Sequence, residues 1–215
     1  SKAEPKYRIA IAGNPNAGKT TLFNRLTGLR YKVANYPGVT VEKREGTVVL
    51  PEIGAATLID LPGIYSLFGQ SLDEIIATDC LHGEIEGEAV PDLVVAVVDA
   101  SNLERNLYLT SQLIDLGRPV FVVLNMIDIA EKRGIQVRSE LLSRVLGAPV
   151  VSMIANRGDG IEQLKIELAT QLAVTGRDPK RYLWSPAGSP FFSAAEELGK
   201  AQVEALHGKI KTTDY

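Results

Sequence analysis

Gly13-Asn14-Pro15-Asn16-Ala17-Gly18-Lys19-Thr20 is the stretch whose reading decides the fold. A short apolar run, Ile9-Ala10-Ile11-Ala12, precedes it, and a helix-like segment beginning Thr21-Leu22-Phe23-Asn24 follows it. Strand, G-x-x-x-x-G-K-[ST], helix is the phosphate-binding loop in its confirming context. The glycines let the backbone curl around an anion so that successive N–H groups face it. The helix starting near Lys19 adds the positive end of its dipole. Lys19 is expected to reach the terminal phosphates, and the Thr20 hydroxyl to bind Mg²⁺.

Outward from this loop, strands and helices alternate. Strands are predicted over residues 7–12, 41–50, 57–61, 93–98, 120–124 and 150–154 from their apolar, β-branched character. The 51–54 connection is too short for a crossover, so 41–50 and 57–61 pair antiparallel. Helices are predicted over 73–81, 103–116, 139–146 and 161–174, with apolar positions 161, 164, 168 and 172 on one face of the last. Residues 29–41 read as a loop broken by Tyr36-Pro37-Gly38. The expected architecture is α/β: a six-stranded, mostly parallel, doubly wound sheet with one antiparallel edge strand. It fills residues 1–174. Composition shifts at Gly176, and residues 175–215 read as a short helical appendage with an amphipathic helix over 191–206.

The chain has 215 residues, is 45% hydrophobic and 23% charged, and carries a net charge of −3. Those values describe an ordinary globular protein with no electrostatic signature of a nucleic-acid partner. The single cysteine, Cys80, excludes an intrachain disulfide framework and reads as a small core residue. No apolar run approaches the length of a membrane span, and the N-terminus has no signal-peptide core. His82 and His207 are isolated, so no cluster with metal-ligand spacing is visible.

Three further motifs share the C-terminal ends of predicted strands. Asp60-Leu61-Pro62-Gly63 places a carboxylate that can hold Mg²⁺ through water and a glycine whose N–H can approach a γ-phosphate. Asn125-Met126-Ile127-Asp128 is N-x-x-D, in which a carboxylate accepts from the N1–H and N2 amine of guanine. Adenine offers no such donor pair. Asn125 is expected to tie its loop to the phosphate loop, and Met126, where lysine is usual, to stack on the base through its apolar stem. Ile154-Ala155-Asn156 follows the last strand, and the Ala155 N–H is the expected partner of the guanine oxygen. Arg157 reads as a solvated surface charge. Thr40 is the candidate switch threonine, joining Mg²⁺ when a γ-phosphate is present. Read without the other motifs, it is an ordinary strand-entry threonine. Ile64 occupies the place of the glutamine that orients water in many GTPases, so hydrolysis is expected to be slow. Asn16 reads equally as a turn residue or as the ligand of a monovalent cation beside the phosphates.

Taken together, these stretches resemble the cytosolic G domain of the bacterial ferrous iron transport protein B family. The resemblance rests on residues 13–24, on Gly38-Val39-Thr40-Val41-Glu42, on Asp60-Leu61-Pro62-Gly63-Ile64-Tyr65-Ser66-Leu67, on the run from Asp99 through Asn102 and Asn106 to Leu109, and on Asn125-Met126-Ile127-Asp128. It implies a Ras-like P-loop fold and binding of GTP and GDP by these stretches. It also implies slow hydrolysis involving Asn16, Lys19, Thr40 and Gly63. Mg²⁺ falls to Thr20, Thr40 and Asp60, and activating K⁺ to Asn16. It further implies a helical domain that favours GDP retention, for which the tail is short, and an attached membrane iron permease. That places the chain on the cytoplasmic face of the inner membrane, with homo-oligomerisation open. Two other readings compete: a nucleotide-gated binding module with negligible turnover, and a soluble ribosome-associated GTPase. The latter needs a basic RNA-binding appendage, and the mixed-charge tail does not read as one.

Overall fold

The computed structural model describes residues 5–175, so the expected appendage and its 191–206 helix lie outside the described residues. The central run Leu93–Asp99 (β5) shows why the chain folds into layers. Leu93, Val95 and Val97 face one side of the sheet, and Val94, Ala96 and Val98 the other. Side chains alternate along a strand, so an unbroken apolar run demands cover on both faces. Tyr7–Gly13 (β1) divides in the same way, with Ile9 and Ile11 on one face and Ala10 and Ala12 on the other.

The sheet has seven strands: β1, Tyr31–Asn35 (β2), Glu42–Leu50 (β3), Gly54–Asp60 (β4), β5, Val120–Asn125 (β6) and Val150–Ser152 (β7). Their order is β2-β3-β4-β1-β5-β6-β7. From β4 to β7 every pairing is parallel, while β3 runs antiparallel to both β2 and β4. Helices Lys19–Thr27 (α1) and Ile161–Thr175 (α6) cover one face. Leu72–His82 (α2), Leu103–Asp115 (α3), the single turn and a half of Ile127–Lys132 (α4) and Ser139–Leu146 (α5) lie with the other.

Three differences from the sequence reading have local causes. The stretch read as a loop over 29–41 contains β2, which makes seven strands rather than six and puts β2, not the antiparallel β3, at the edge. Lys32, Val33, Ala34 and Asn35 are all exposed, so no burial pattern marks this strand, and it exists through its pairing with β3. The last strand ends at Ser152: the Met153 N–H still bonds the Leu124 carbonyl at 2.9 Å, and beyond it the chain turns back so that Ile154 pairs with Asp159 rather than with β6. α4 begins inside the N-x-x-D motif, with Met126 at its N-cap.

The helix ends follow their residues. Ser71 and Glu74 form a reciprocal capping box on α2, and Gly83 closes it in the left-handed conformation. α1, in contrast, has Gly18 at its N-cap and no side-chain cap, so its first N–H groups have no capping side chain.

Candidate functional site

The phosphate loop and the motifs at Asp60, Asn125 and Ile154 follow β1, β4, β6 and β7 at the C-terminal ends of the parallel strands, where open α/β sheets bind ligands. The loop from Asn14 to Gly18 joins β1 to α1 in a conformation only its own residues permit. Asn16 has φ 65° and Gly18 φ 96°. A Cβ at Gly18 would stand 2.2 Å from Asn125 Nδ2, and one at Gly13 would stand 2.5 Å from the Val97 carbonyl oxygen. The loop is therefore pressed against β5 and β6, and glycine is required at both ends.

Lys19 is buried at 7% exposure, and its Nζ donates to the Asn14 carbonyl at 3.3 Å. Burial lowers its pKa, with the nearby Asp60 carboxylate opposing that shift. Asp60, at the end of β4, is also buried. Burial raises its carboxyl pKa against the opposing Thr20 hydrogen bond and Lys19 charge. The Thr20 hydroxyl donates to Asp60 Oδ2 at 2.9 Å, while Oδ1 is buried with no hydrogen-bond partner. An orphaned carboxylate oxygen beside a threonine hydroxyl fits a hydrated Mg²⁺, a hard cation that takes oxygen donors and keeps several waters.

Gly63 lies directly over the phosphate loop. A Cβ there would meet Lys19 Nζ and Pro15 Cα at 3.0 Å each. The Ile64 N–H donates to the Gly13 carbonyl at 3.3 Å, and Ile64 itself is buried at 2% exposure. Thus Leu61, Pro62 and Gly63 pass against the loop with Ile64 plugged into the core beneath.

Asn125, at the end of β6, makes two buried hydrogen bonds. Its Nδ2 donates to the Ala17 carbonyl at 2.9 Å, and its Oδ1 accepts the Ala155 N–H at 3.0 Å. The first is the expected tie to the phosphate loop. The second engages the Ala155 N–H, the donor expected at the guanine oxygen, with the Asn125 side chain. Arg25 of α1 braces the same turn by donating to the Asn156 carbonyl at 2.5 Å. Ile154 pairs with Asp159 across that turn. Met126 takes φ 61°, which turns the chain sharply so that half-buried Ile127 and Asp128 enter the first turn of α4. Arg157 Nη2 stands 3.8 Å from Asp128 Oδ2, so Arg157, 58% exposed, is less detached from the site than its sequence suggested.

The structure brings together Gly13 to Thr21, Asp60 to Gly63, Asn125 to Asp128 and Ile154 to Asn156. It does not draw in the Thr40 segment. Gly38 turns the chain at φ 74°, the Tyr36 N–H bonds the Val41 carbonyl, and Thr40 is exposed, with no hydrogen bond to the phosphate loop among the described residues. Val39 and Val41 pack on the core, and Glu42, first residue of β3, pairs with Arg44. Sequence reasoning missed three contacts of α3. Asn14 Nδ2 donates to the Arg105 carbonyl at 3.3 Å, the Arg105 guanidinium lies 4.0 Å from the Tyr65 ring centroid, and Gln112 reaches the Leu67 backbone. The Asp99–Leu109 run was visible, but no spacing rule assigns its contacts.

Comparison with known proteins agrees with this geometry. The family model described as ferrous iron transport protein B matches residues 7–168. The Fe(2+) transporter FeoB of Escherichia coli (strain K12) is 47% identical over 199 residues, 91% of this chain and 24% of that protein. The chain thus spans about a quarter of the length of such curated relatives. The cytosolic domain of L. pneumophila FeoB superposes with a TM-score of 0.70 at 46% identity, covering 76% of this chain and 63% of that one. The cytosolic domain of T. maritima FeoB in its GMPPNP form gives 0.69 at 41% identity, covering 80% and 64%.

Proposed function

Because the chain belongs to the ferrous iron transport protein B family, we propose that it is that family's Ras-like guanine-nucleotide-binding domain, a slow GTPase that governs Fe(II) uptake by a permease on the rest of the protein. The observation that carries the reading is Asn125, whose one amide joins the phosphate loop to the turn after β7, three residues before Asp128.

In this reading the N–H groups of Asn14, Asn16 and Gly18 and of the first turn of α1 surround the phosphates, and Lys19 supplies the fixed cation. Burial lowers the pKa of Lys19, and a phosphate beside it would favour the charged form. Asp128 accepts two guanine hydrogen bonds that ATP cannot offer. Ala155 acts by bracing Asn125, leaving the guanine oxygen to the Asn156 end of the turn. Gly63 brings its backbone N–H to the γ-phosphate. Mg²⁺ would be held by the Thr20 hydroxyl and, through water, by Asp60, and would neutralise developing phosphate charge. Thr40 completes that set when its exposed loop closes. Asn16 would hold K⁺ in the role an arginine finger plays elsewhere.

One observation favours a second reading, a nucleotide-gated module with negligible turnover. Ile64 is buried at 2% exposure and cannot orient water. Single-turnover assays with GTP and ATP, in Mg²⁺ and K⁺, separate the two. Phosphate release from GTP alone supports the GTPase. Tight GTP binding without phosphate release leaves the binding module, and equal handling of ATP overturns the guanine reading.

A further inference from the structure

Gln112 is a half-buried residue of α3 with no place in the motifs above. Its Oε1 accepts the Leu67 N–H at 2.9 Å. The Thr78 hydroxyl of α2 donates to the carbonyl of the same Leu67 at 3.3 Å. Both backbone groups of Leu67 are therefore held by side chains from two different helices. Upstream, the Leu61 N–H bonds the Ile11 carbonyl at 3.0 Å and the Ile64 N–H bonds Gly13. Between them Tyr65 lies under Arg105, which stands seven residues before Gln112 and so on the same face of α3. The segment from Asp60 to Leu67 is thus pinned at each end, with Gly63 against Lys19 and Pro15 in the middle.

We propose that Gln112 is a positioning residue for GTP hydrolysis: by holding the Leu67 N–H it fixes the segment that presents the Gly63 backbone to the γ-phosphate. The inference rests on the GTPase reading above. Ile64 offers no side-chain hydrogen bond to the reaction, so the work falls to backbone groups, and a backbone group is only as well placed as the contacts that hold it. α3 is suited to this. Its first turn is tied to the phosphate loop through Asn14 and Arg105, and Asn106 fixes its start by accepting the Asp99 N–H at 3.1 Å and donating to the Asn102 carbonyl at 2.9 Å. The same helix therefore references switch segment and phosphate loop to one rigid body. A glutamine takes part in this segment after all, but it comes from α3 and holds main chain rather than water.

The test uses Gln112→Met, close in shape but without the acceptor, and Gln112→Glu, which keeps one. Three quantities are read on the GDP-bound and GTP-loaded protein: hydrogen exchange at the 64–68 amides, single-turnover hydrolysis, and affinity for a fluorescent GDP. Gln112→Met is expected to raise exchange at Leu67 about tenfold or more, since that amide loses its acceptor. It should slow hydrolysis about fivefold, the scale of one ordinary hydrogen bond, with GDP affinity within about twofold of wild type. Gln112→Glu restores both. Unchanged Leu67 exchange in Gln112→Met overturns the proposal, as does a Glu variant that behaves like Met or a GDP affinity that falls in step with the rate. If the wild type itself releases no phosphate, the GTPase reading and with it the catalytic role of Gln112 fall, while the exchange data still report whether Gln112 holds Leu67.

Discussion

The Thr20 hydroxyl donates a 2.9 Å hydrogen bond to Asp60 Oδ2, joining the first residues of α1 to the end of β4. Two oxygens assigned to one Mg²⁺ are thereby adjacent, and the second Asp60 oxygen is buried without a partner. Burial raises the Asp60 pKa from its ordinary value. The folded state then keeps this proton to higher pH than the unfolded chain, so without Mg²⁺ the contribution of Asp60 to stability falls as pH rises through the raised value. Mg²⁺ needs the carboxylate, so Mg²⁺ affinity should fall as pH drops, and at a higher pH than for an unshifted aspartate. Asp60→Asn should weaken Mg²⁺ support of GTP binding about 10- to 100-fold and flatten its pH dependence, as titrations at several pH values will show.

Base choice should rest on Asp128. Wild type is expected to bind GTP and GDP and to reject ATP by about a hundredfold or more, because ATP leaves the carboxylate unpaired. Asp128→Asn should lose guanine nucleotides and gain xanthine nucleotides in calorimetry. The Arg157 guanidinium 3.8 Å away is largely exposed, and such pairs contribute about 0–1 kcal/mol. Arg157→Ala should therefore change GDP affinity less than about fivefold.

Removing Asn125 should cost both binding and stability. Asn125→Ala strands the Ala17 carbonyl and the Ala155 N–H, each at about 1–3 kcal/mol. Asn125→Asp keeps an acceptor for Ala155 but sets an oxygen against the Ala17 carbonyl, so it should not recover the phosphate-loop tie. Urea denaturation with and without GDP will rank wild type above both variants.

Thr40 is exposed, on a turn closed by the Tyr36 and Val41 backbones. Thr40→Ala should leave GDP affinity within about twofold while slowing hydrolysis, because only the γ-phosphate state recruits the hydroxyl. A large loss of GDP affinity in equilibrium titration counts against that role.

Asn16 stands exposed at φ 65°, a left-handed conformation that asparagine tolerates. K⁺ should accelerate single-turnover hydrolysis more than Na⁺, by less than the roughly 10³–10⁵-fold of a full arginine finger. Asn16→Ala should erase the K⁺ effect and leave GDP binding in place. Equal wild-type rates in the two salts would leave Asn16 a turn residue.

The sequence by itself determined the parallel α/β core, the phosphate loop and the positions of the other motifs at strand ends. Those features are local. Unbroken apolar runs require cover on both faces, and Gly13 and Gly18 sit where the chain must curl closely around a phosphate. Contacts set by long-range packing were decided only in the tertiary structure. The edge strand β2 has no buried face to mark it and exists because β3 pairs with it. The Ala155 N–H goes to Asn125, 30 positions away, and Leu67 finds Gln112 across 45. A hydrogen bond between distant residues leaves no periodicity in the chain, because any residue with the right donor or acceptor serves once the fold brings it near. Which backbone group remains for the nucleotide is therefore a property of the assembled sheet and its helices, while the presence of a nucleotide-binding loop is already a property of residues 13–20.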